Sequence, residues 1–234
     1  MAKINIKGPI ISSQQQWIYD WFGIEATSPS KVNKVLDSII TSEDLEVEIN
    51  SCGGDISAGS EIYTAIRGYS KGNTKINIVG SAYSAGSVIA MAGECYMSPT
   101  AMMMCHKVSG GAQGNSDDMD KTSEVLKIAD QTIANAYVAK SGMSMKDALK
   151  MMADETWLTA QQAKERGLID GIMFEENQAS STSSFLNSFS GMIPEEVIEK
   201  MQNEKLQKMT GQQKERLQNK LNFLKLKGGI QNEI

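Results

Sequence analysis

The sequence predicts an α/β fold in which strand–turn–helix units repeat. Short segments with polar and apolar side chains in alternation are typical of strands. They are followed by turns containing glycine and serine, and then by apolar residues at helical spacing. This rhythm indicates a parallel sheet covered by helices, with functional groups at the carboxyl ends of the strands. A length of 234 residues suits one domain of ordinary size with an appendage, or two small domains.

Local signals set the bounds of these elements. Ser28 and Ser30 are possible helix caps, and Gly167 ends the last helix. Asp117 and Asp118 lie in the first turn of a long helix, where they suit the positive end of its dipole. In chain order, the sequence predicts a strand at 1–7, a helix at 29–41, a strand at 45–50, a helix through 62–66, a strand at 75–79, a helix at 84–92, a strand at 96–106 broken at 98–99, and helices at 116–140, 145–153 and 159–166.

The composition changes after residue 176 and divides the chain into three parts. Residues 1–176 form the predicted α/β domain. Residues 177–193 are rich in serine and asparagine and predict a flexible linker. In residues 194–234, apolar positions fall on helical faces with charged residues between them, which predicts an amphipathic helical tail. Because such short helices are marginal alone, we expect the tail to dock or self-associate.

Composition and charge exclude several classes of protein. The net charge is −5, and the 23 basic residues are scattered until the C-terminus, which argues against a nucleic-acid surface. No apolar stretch approaches the roughly 20 residues that cross a bilayer. Residues 1–7 lack the apolar core of a signal peptide. We therefore expect a cytoplasmic protein that binds neither nucleic acid nor membrane.

The cysteines and aspartates do not suggest a metal site. Cys52, Cys95 and Cys105 are an odd number without the spacing of a disulfide framework or zinc knuckle. Buried free thiols are the favoured interpretation. Cys105 adjoins His106, but neighbours on a strand point to opposite faces, which disfavours a cysteine nucleophile. The aspartates within 117–120 lack calcium-loop spacing. We therefore expect neither metal nor cofactor.

One serine and one histidine suggest nucleophilic catalysis. His106 is the only histidine, and Ser84 lies before it in a run of small side chains at 80–86. A serine hydroxyl needs a base to take its proton, and imidazole is well tuned for that near neutral pH. Small residues let a strand bend sharply into a helix and expose a hydroxyl; close helix packing alone is the alternative interpretation. If the chain is a serine hydrolase that works through histidine, His106 must be the base.

Two turns offer backbone amides that could hold an oxyanion. Gly53–Gly54 lies at a helix start, where the backbone can approach a ligand closely and its N–H groups favour anions. The N–H of Ala85 follows the serine. A tight turn without a catalytic role is the alternative for the glycine pair. Asp154 and Glu155 are candidates for the acid that orients the imidazole, with solvation on a helix surface as the alternative.

The motifs fall in a recognisable order along the chain: segment 49–54, segment 80–86, His106 followed by 110–111, segment 155–160 with Ala163, and segment 167–170. As a set they resemble the ClpP family (S14) of serine endopeptidases over about residues 45–174. The resemblance implies the ClpP/crotonase-type fold and a homo-oligomeric ring, with the long helix after His106 as the handle that joins rings. It also implies that Ser84 is the nucleophile and His106 the base. The backbones of Gly54 and Ala85 would form the oxyanion hole.

The chain departs from the family pattern in ways that affect these expectations. Cys52 stands where the family usually has proline. Glu155 occupies the position of the catalytic aspartate, so we predict Glu155 as the acid with Asp154 in reserve. Segment 17–24 and the helical tail look more like the phage and prophage branch, whose members cut scaffold or head proteins in capsid maturation. The resemblance thus implies processing of phage capsid or scaffold proteins in the host cytoplasm. It leaves open whether an ATPase unfoldase docks and whether the tail is cleaved off.

Other interpretations of the same residues stay open. A crotonase-type acyl-CoA enzyme would share the fold and a paired-amide oxyanion hole, but it relies on carboxylates. A structural assembly protein would keep the fold without turnover. A serine–lysine dyad could use Lys107, although that side chain should face away from the side to which His106 points.

Overall fold

Residues 1–175, which the structure describes, fold around a seven-stranded sheet. The structure is a computed structural model, and the predicted linker at 177–193 and tail at 194–234 lie outside the described residues. The strands are β1 (Ala2–Ile10), β2 (Leu45–Gly54), β3 (Thr74–Tyr83), β4 (Glu94–Met97), β5 (Met102–Cys105), β6 (Thr156–Thr159) and β7 (Gly171–Ile172). The helices are α1 (Gln16–Phe22), α2 (Pro29–Ser38), α3 (Ile56–Arg67), α4 (Ala85–Ala90), α5 (Ser116–Ser141), α6 (Met145–Ala153) and α7 (Ala160–Glu165).

Strand β3 determines the topology because its two halves pair with different neighbours. The main order of the sheet is β1-β2-β3-β4-β7, with all of these pairs parallel. Segment 75–78 of β3 pairs with β4, whereas segment 81–83 pairs with β5, also in parallel. Strand β6 adds to β5 in the antiparallel direction. The strand predicted over 96–106 is therefore two strands, separated where Pro99 removes a backbone donor.

The register of the central strands follows from burial of alternate side chains. Leu45, Val47 and Ile49 of β2 are fully buried. Ile49 stands between Ile6 of β1 and Ile78 of β3 in the paired register. Burying a side chain of this size is worth about 1.5–3 kcal/mol. A slip of one residue would expose this apolar set, so the pattern fixes the register.

The long helix α5 packs one face against the domain and is fixed at both ends. The Asn115 side chain accepts the N–H groups of Asp117 and Asp118, and the Asp118 carboxylate accepts the N–H of Asn115. This capping box agrees with the predicted capping role of the aspartates. Near the other end, Lys140 forms an ion pair with Asp170, which precedes β7. The buried residues of α5 are Asp130, Ile133, Ala134, Ala136 and Tyr137.

The predicted α/β class is confirmed, and the differences fall in short elements. Helix α1 was not predicted because its apolar residues are not confined to one face of a helix. In the structure, Trp17 and Trp21 are exposed. Strands β6 and β7 have four and two residues, too few to show alternation. Helix α2 ends at Ser38, three residues before the predicted boundary. Within residues 1–175, no helix is both long and apolar enough to cross a membrane.

We expect Gly54→Ala to lower the free energy of unfolding by about 3 kcal/mol, as measured by urea denaturation. Gly54 has a φ of 148° and pairs with Ile10. A Cβ atom there would lie 2.1 Å from the Ile10 carbonyl oxygen, a backbone atom that cannot move without disturbing β1. The control is Gly142→Ala, where φ is 75° and nothing lies within 4 Å of the added atom; it should lose only about 1–2 kcal/mol. Equal losses in the two variants would contradict the prediction.

Candidate active site

Ser84 lies at a strained turn between β3 and α4. Its φ of 52° and ψ of −122° are unusual for a residue other than glycine and cost roughly 1–3 kcal/mol. The Ser84 N–H donates to the Met104 carbonyl at 2.9 Å, and the Ser84 carbonyl accepts from the Ser87 N–H at 2.9 Å. The Ser87 hydroxyl donates to the same carbonyl at 2.7 Å. These hydrogen bonds hold the turn in the strained conformation.

A buried polar network continues from this turn to α5. The oxygens of Ser87 and Tyr137 are 2.7 Å apart. Because the Ser87 proton goes to the Ser84 carbonyl, the Tyr137 hydroxyl is the donor in this second hydrogen bond. Burial raises the pKa of Tyr137 well above its usual value, so the hydroxyl keeps its proton and stays a donor. Helix α5 thus supports the serine turn through two hydroxyl groups.

His106 follows β5 and reaches the serine. Its Nε2 atom is 2.8 Å from the Ser84 Oγ atom. In the tautomer with the proton on Nδ1, Nε2 accepts the hydrogen bond from the serine. The two residues after His106 are also fixed: the Lys107 N–H donates to the Met152 carbonyl at 3.1 Å, and the Val108 N–H donates to Asp130 at 2.8 Å. The structure therefore brings together the serine and the histidine that the sequence singled out.

Gly54 and the serine turn border one cavity. Ser51 fixes the Gly53–Gly54 turn. Its hydroxyl donates to the Gly8 carbonyl at 2.6 Å and accepts the Gly53 N–H at 3.1 Å. A Cβ atom on Gly53 would lie 2.7 Å from the Cβ of Ser84, so only glycine allows this approach. The cavity has a volume of about 260 Å³, and its lining includes Gly54, Gly59, Ser84, Ala85, His106 and Tyr137.

The two predicted acids do not contact the imidazole. Asp154 pairs with Lys150 at 2.5 Å on the surface. Glu155 is exposed and has a positive φ of 45° at the junction of α6 and β6. Among residues 1–175, no carboxylate oxygen lies within 4.0 Å of a His106 ring nitrogen. The same residues contain no group of three or more side chains that could hold a metal ion.

One buried carboxylate near the site was missed by the sequence reasoning. Asp130 is 6% exposed and accepts the N–H of Val108, two residues after the histidine. The sequence does carry a signal for it. On α5, Asp130 precedes Ile133 and Tyr137 at the spacing of one helical face, so an acidic residue lies on the apolar side.

The cysteines differ in exposure. Cys95 and Cys105 are buried as expected, whereas the expectation of burial is wrong for Cys52 because its side chain lies on the outward face of β2. Burial raises the pKa of Cys105 to about 11 and that of Cys95 to about 12. Since the thiolate is the nucleophilic form, Cys105 is not an alternative nucleophile at neutral pH.

Comparison with known proteins now assigns the family. The Clp protease family model matches residues 28–176. The chain belongs to the Clp protease family.

Two relatives indicate how similar the chain is to characterised members. The ATP-dependent Clp protease proteolytic subunit of Ligilactobacillus salivarius is 33% identical over 141 residues, which are 59% of this chain and 71% of the relative. The ATP-dependent Clp protease proteolytic subunit of Deinococcus radiodurans is 32% identical over 143 residues, 59% of this chain and 69% of the relative. The predicted ClpP-type fold and the assignment as a serine-type endopeptidase are thereby confirmed. The family match includes Gly54, Ser84, Ala85 and His106.

We expect iodoacetamide to modify Cys52 in the native protein at pH 8 and to leave Cys95 and Cys105 unmodified. Burial shields Cys95 and Cys105 from the reagent, and it keeps them protonated because it raises their pKa values to about 12 and about 11. Cys52 is exposed. Peptide mass mapping after quenching measures the labelling, and denatured protein is the control in which all three thiols react. Native labelling of Cys105 as fast as Cys52 would contradict the burial described here.

Proposed function

We propose that this chain cleaves protein substrates through an acyl-enzyme, with Ser84 as nucleophile and His106 as base. The observation that supports this most directly is the 2.8 Å contact between Nε2 and Oγ at the cavity. His106 takes the hydroxyl proton as Oγ attacks the peptide carbonyl carbon. The imidazolium then gives that proton to the leaving amine as the C–N bond breaks. Water, activated by the same histidine, hydrolyses the ester and restores the serine.

The backbone N–H groups of Gly54 and Ala85 are proposed to hold the oxyanion. Ala85 is the first residue of α4, so its N–H has no acceptor within the helix. Gly54 lines the same cavity and precedes α3 by one residue, Asp55. Each such donor is worth about 10²–10³ in kcat when charge develops on the carbonyl oxygen.

Glu155 is proposed as the triad acid by resemblance, with Asp154 in reserve. The Met152 carbonyl accepts both the Lys107 N–H at 3.1 Å and the Glu155 N–H at 3.2 Å. The α6–β6 junction is therefore adjacent to the residue that follows His106, which supports a role for its carboxylates. To complete the triad, one of them must accept the Nδ1–H of His106.

We further propose that the enzyme is a homo-oligomeric ring that acts on phage capsid or scaffold proteins in the host cytoplasm. The ring is supported by family membership, since the relatives are proteolytic subunits. The capsid role is supported by the resemblance of segment 17–24 to the phage branch. That segment contains the exposed Trp17 and Trp21 of α1 and lies before the family match, which begins at residue 28. Because the relatives are ATP-dependent, assistance by an ATPase is part of the test.

A fluorophosphonate probe should label wild-type protein at Ser84, because the probe reacts with an activated serine. Ser84→Ala should abolish labelling, and His106→Ala should slow it by several orders of magnitude since no other imidazole exists in the chain. Ser81→Ala is the matched control: Ser81 lies in the same small-residue run but bonds to Asn50, so labelling should persist. Mass spectrometry identifies the labelled residue. Full labelling of His106→Ala would exclude the proposed base.

For the substrate class, purified scaffold or head protein of a tailed phage should be shortened by wild-type enzyme and left intact by Ser84→Ala. Intact-mass measurement with and without an ATPase partner and ATP separates unassisted from assisted cleavage. An unrelated folded protein is the control. Cleavage of that control at the same rate would contradict a capsid-specific role while leaving the endopeptidase activity in place.

A further inference from the structure

Burial of the Asp130 carboxylate is unfavourable in free energy unless its charge is compensated. Its residue is 6% exposed, and a carboxylate removed from water must be compensated by hydrogen bonds or cations. Its Oδ1 accepts the Val108 N–H at 2.8 Å, and its Oδ2 is 3.9 Å from the Lys107 ammonium, whose side chain is 52% exposed. Both partners come from the two residues directly after His106. The carboxylate therefore contacts the segment that directly follows the proposed base.

The same face of α5 supports both halves of the catalytic pair. Asp130 holds the histidine segment, and one turn or two further along, Ile133 and Tyr137 line the cavity. Tyr137 supports the serine turn through Ser87. A single helix thus fixes the nucleophile at one point and the base at another.

We propose that Asp130 is a positioning residue for His106 and that its buried charge favours the imidazolium formed when Ser84 loses its proton. This inference rests on the proposed function. A buried carboxylate acts across a medium of lower dielectric than water, so it stabilises a cation nearby without direct contact. The carboxylates of Asp154 and Glu155 are exposed, and water screens them more strongly.

Few titratable groups line the cavity beside His106. Tyr137 and Cys105 carry no charge near neutral pH because burial raises the pKa of each. Lys107 is cationic and half-exposed. Besides His106, the titratable groups that line the cavity are Asp55, Lys107 and Tyr137. Cys105 precedes the histidine on β5, and Asp154 and Glu155 lie at the α6–β6 junction.

Asp130→Asn tests the proposal because it keeps an acceptor for the Val108 N–H but removes the charge. We expect fluorophosphonate labelling of the full chain to slow by about ten- to a hundredfold. The pH midpoint of the labelling rate should also move down, since removal of a negative charge favours the neutral form of the imidazole. Asp130→Glu restores the charge and should recover part of the rate with a midpoint near that of the wild type. A structural role alone would not move the midpoint.

Glu124→Gln is the matched control, since it removes a carboxylate from an exposed position on the same helix, and thermal denaturation reports folding of every variant. Under the proposal, this control keeps the wild-type rate and midpoint. If Asp130→Asn fails to fold, Asp130→Glu decides: a reduced rate with a wild-type midpoint supports the proposal, whereas a wild-type rate or a downward midpoint overturns it. A wild-type rate and midpoint in Asp130→Asn also overturn the proposal, as does an equal downward midpoint in Glu124→Gln. Absence of labelling in wild-type protein would instead overturn the proposed function.

Discussion

The pairing of β5 with the end of β3 places Ser84 and His106 beside each other. Tyr83 of β3 stands opposite Met104 of β5, so the residues that follow these strands emerge at the same edge of the sheet. The Ser84 N–H continues this pairing by donating to the Met104 carbonyl. If β4 had continued straight along β3, His106 would have no path to the serine. The break at Pro99, which lets β5 replace β4 as the neighbour of β3, is therefore the feature on which the site depends.

Strain at Ser84 is stable only because its surroundings determine the conformation from several sides. A cost of roughly 1–3 kcal/mol is comparable with the combined contribution of the hydrogen bonds to Met104 and Ser87, each worth about 0.5–1.5 kcal/mol net. The Tyr137 hydroxyl adds a further bond from α5. Since all these partners are buried or in strands, the serine turn moves little without disturbing the core. The rigid turn in turn keeps Oγ at hydrogen-bonding distance from the imidazole.

Sequence reasoning singled out those parts of the candidate site that depend on local chemistry. A serine among small residues, a glycine pair before a helix and a single histidine each require a specific residue type at one place, so they can be recognised without coordinates. The fold class followed from alternation and helical spacing in β1–β3 and α2–α5. Asp130 was missed because its role depends on a contact with Val108 across 22 residues of sequence. The short strands β6 and β7 were missed because neighbouring strands, rather than their own residues, define them.

Burial decides how much a carboxylate contributes to a nearby imidazolium. Two unit charges about 4 Å apart interact by about 1 kcal/mol in bulk water and by about 4 kcal/mol at the effective dielectric near a protein surface. Asp154 is exposed and already paired with Lys150. From a distance, its charge therefore stabilises an imidazolium only weakly. Glu155, on the same exposed junction, must reach Nδ1 directly to have a comparable effect. Asp130 is buried, and α5 holds its carboxylate against the segment that follows His106. Under the proposal, it acts on the imidazolium without contacting it.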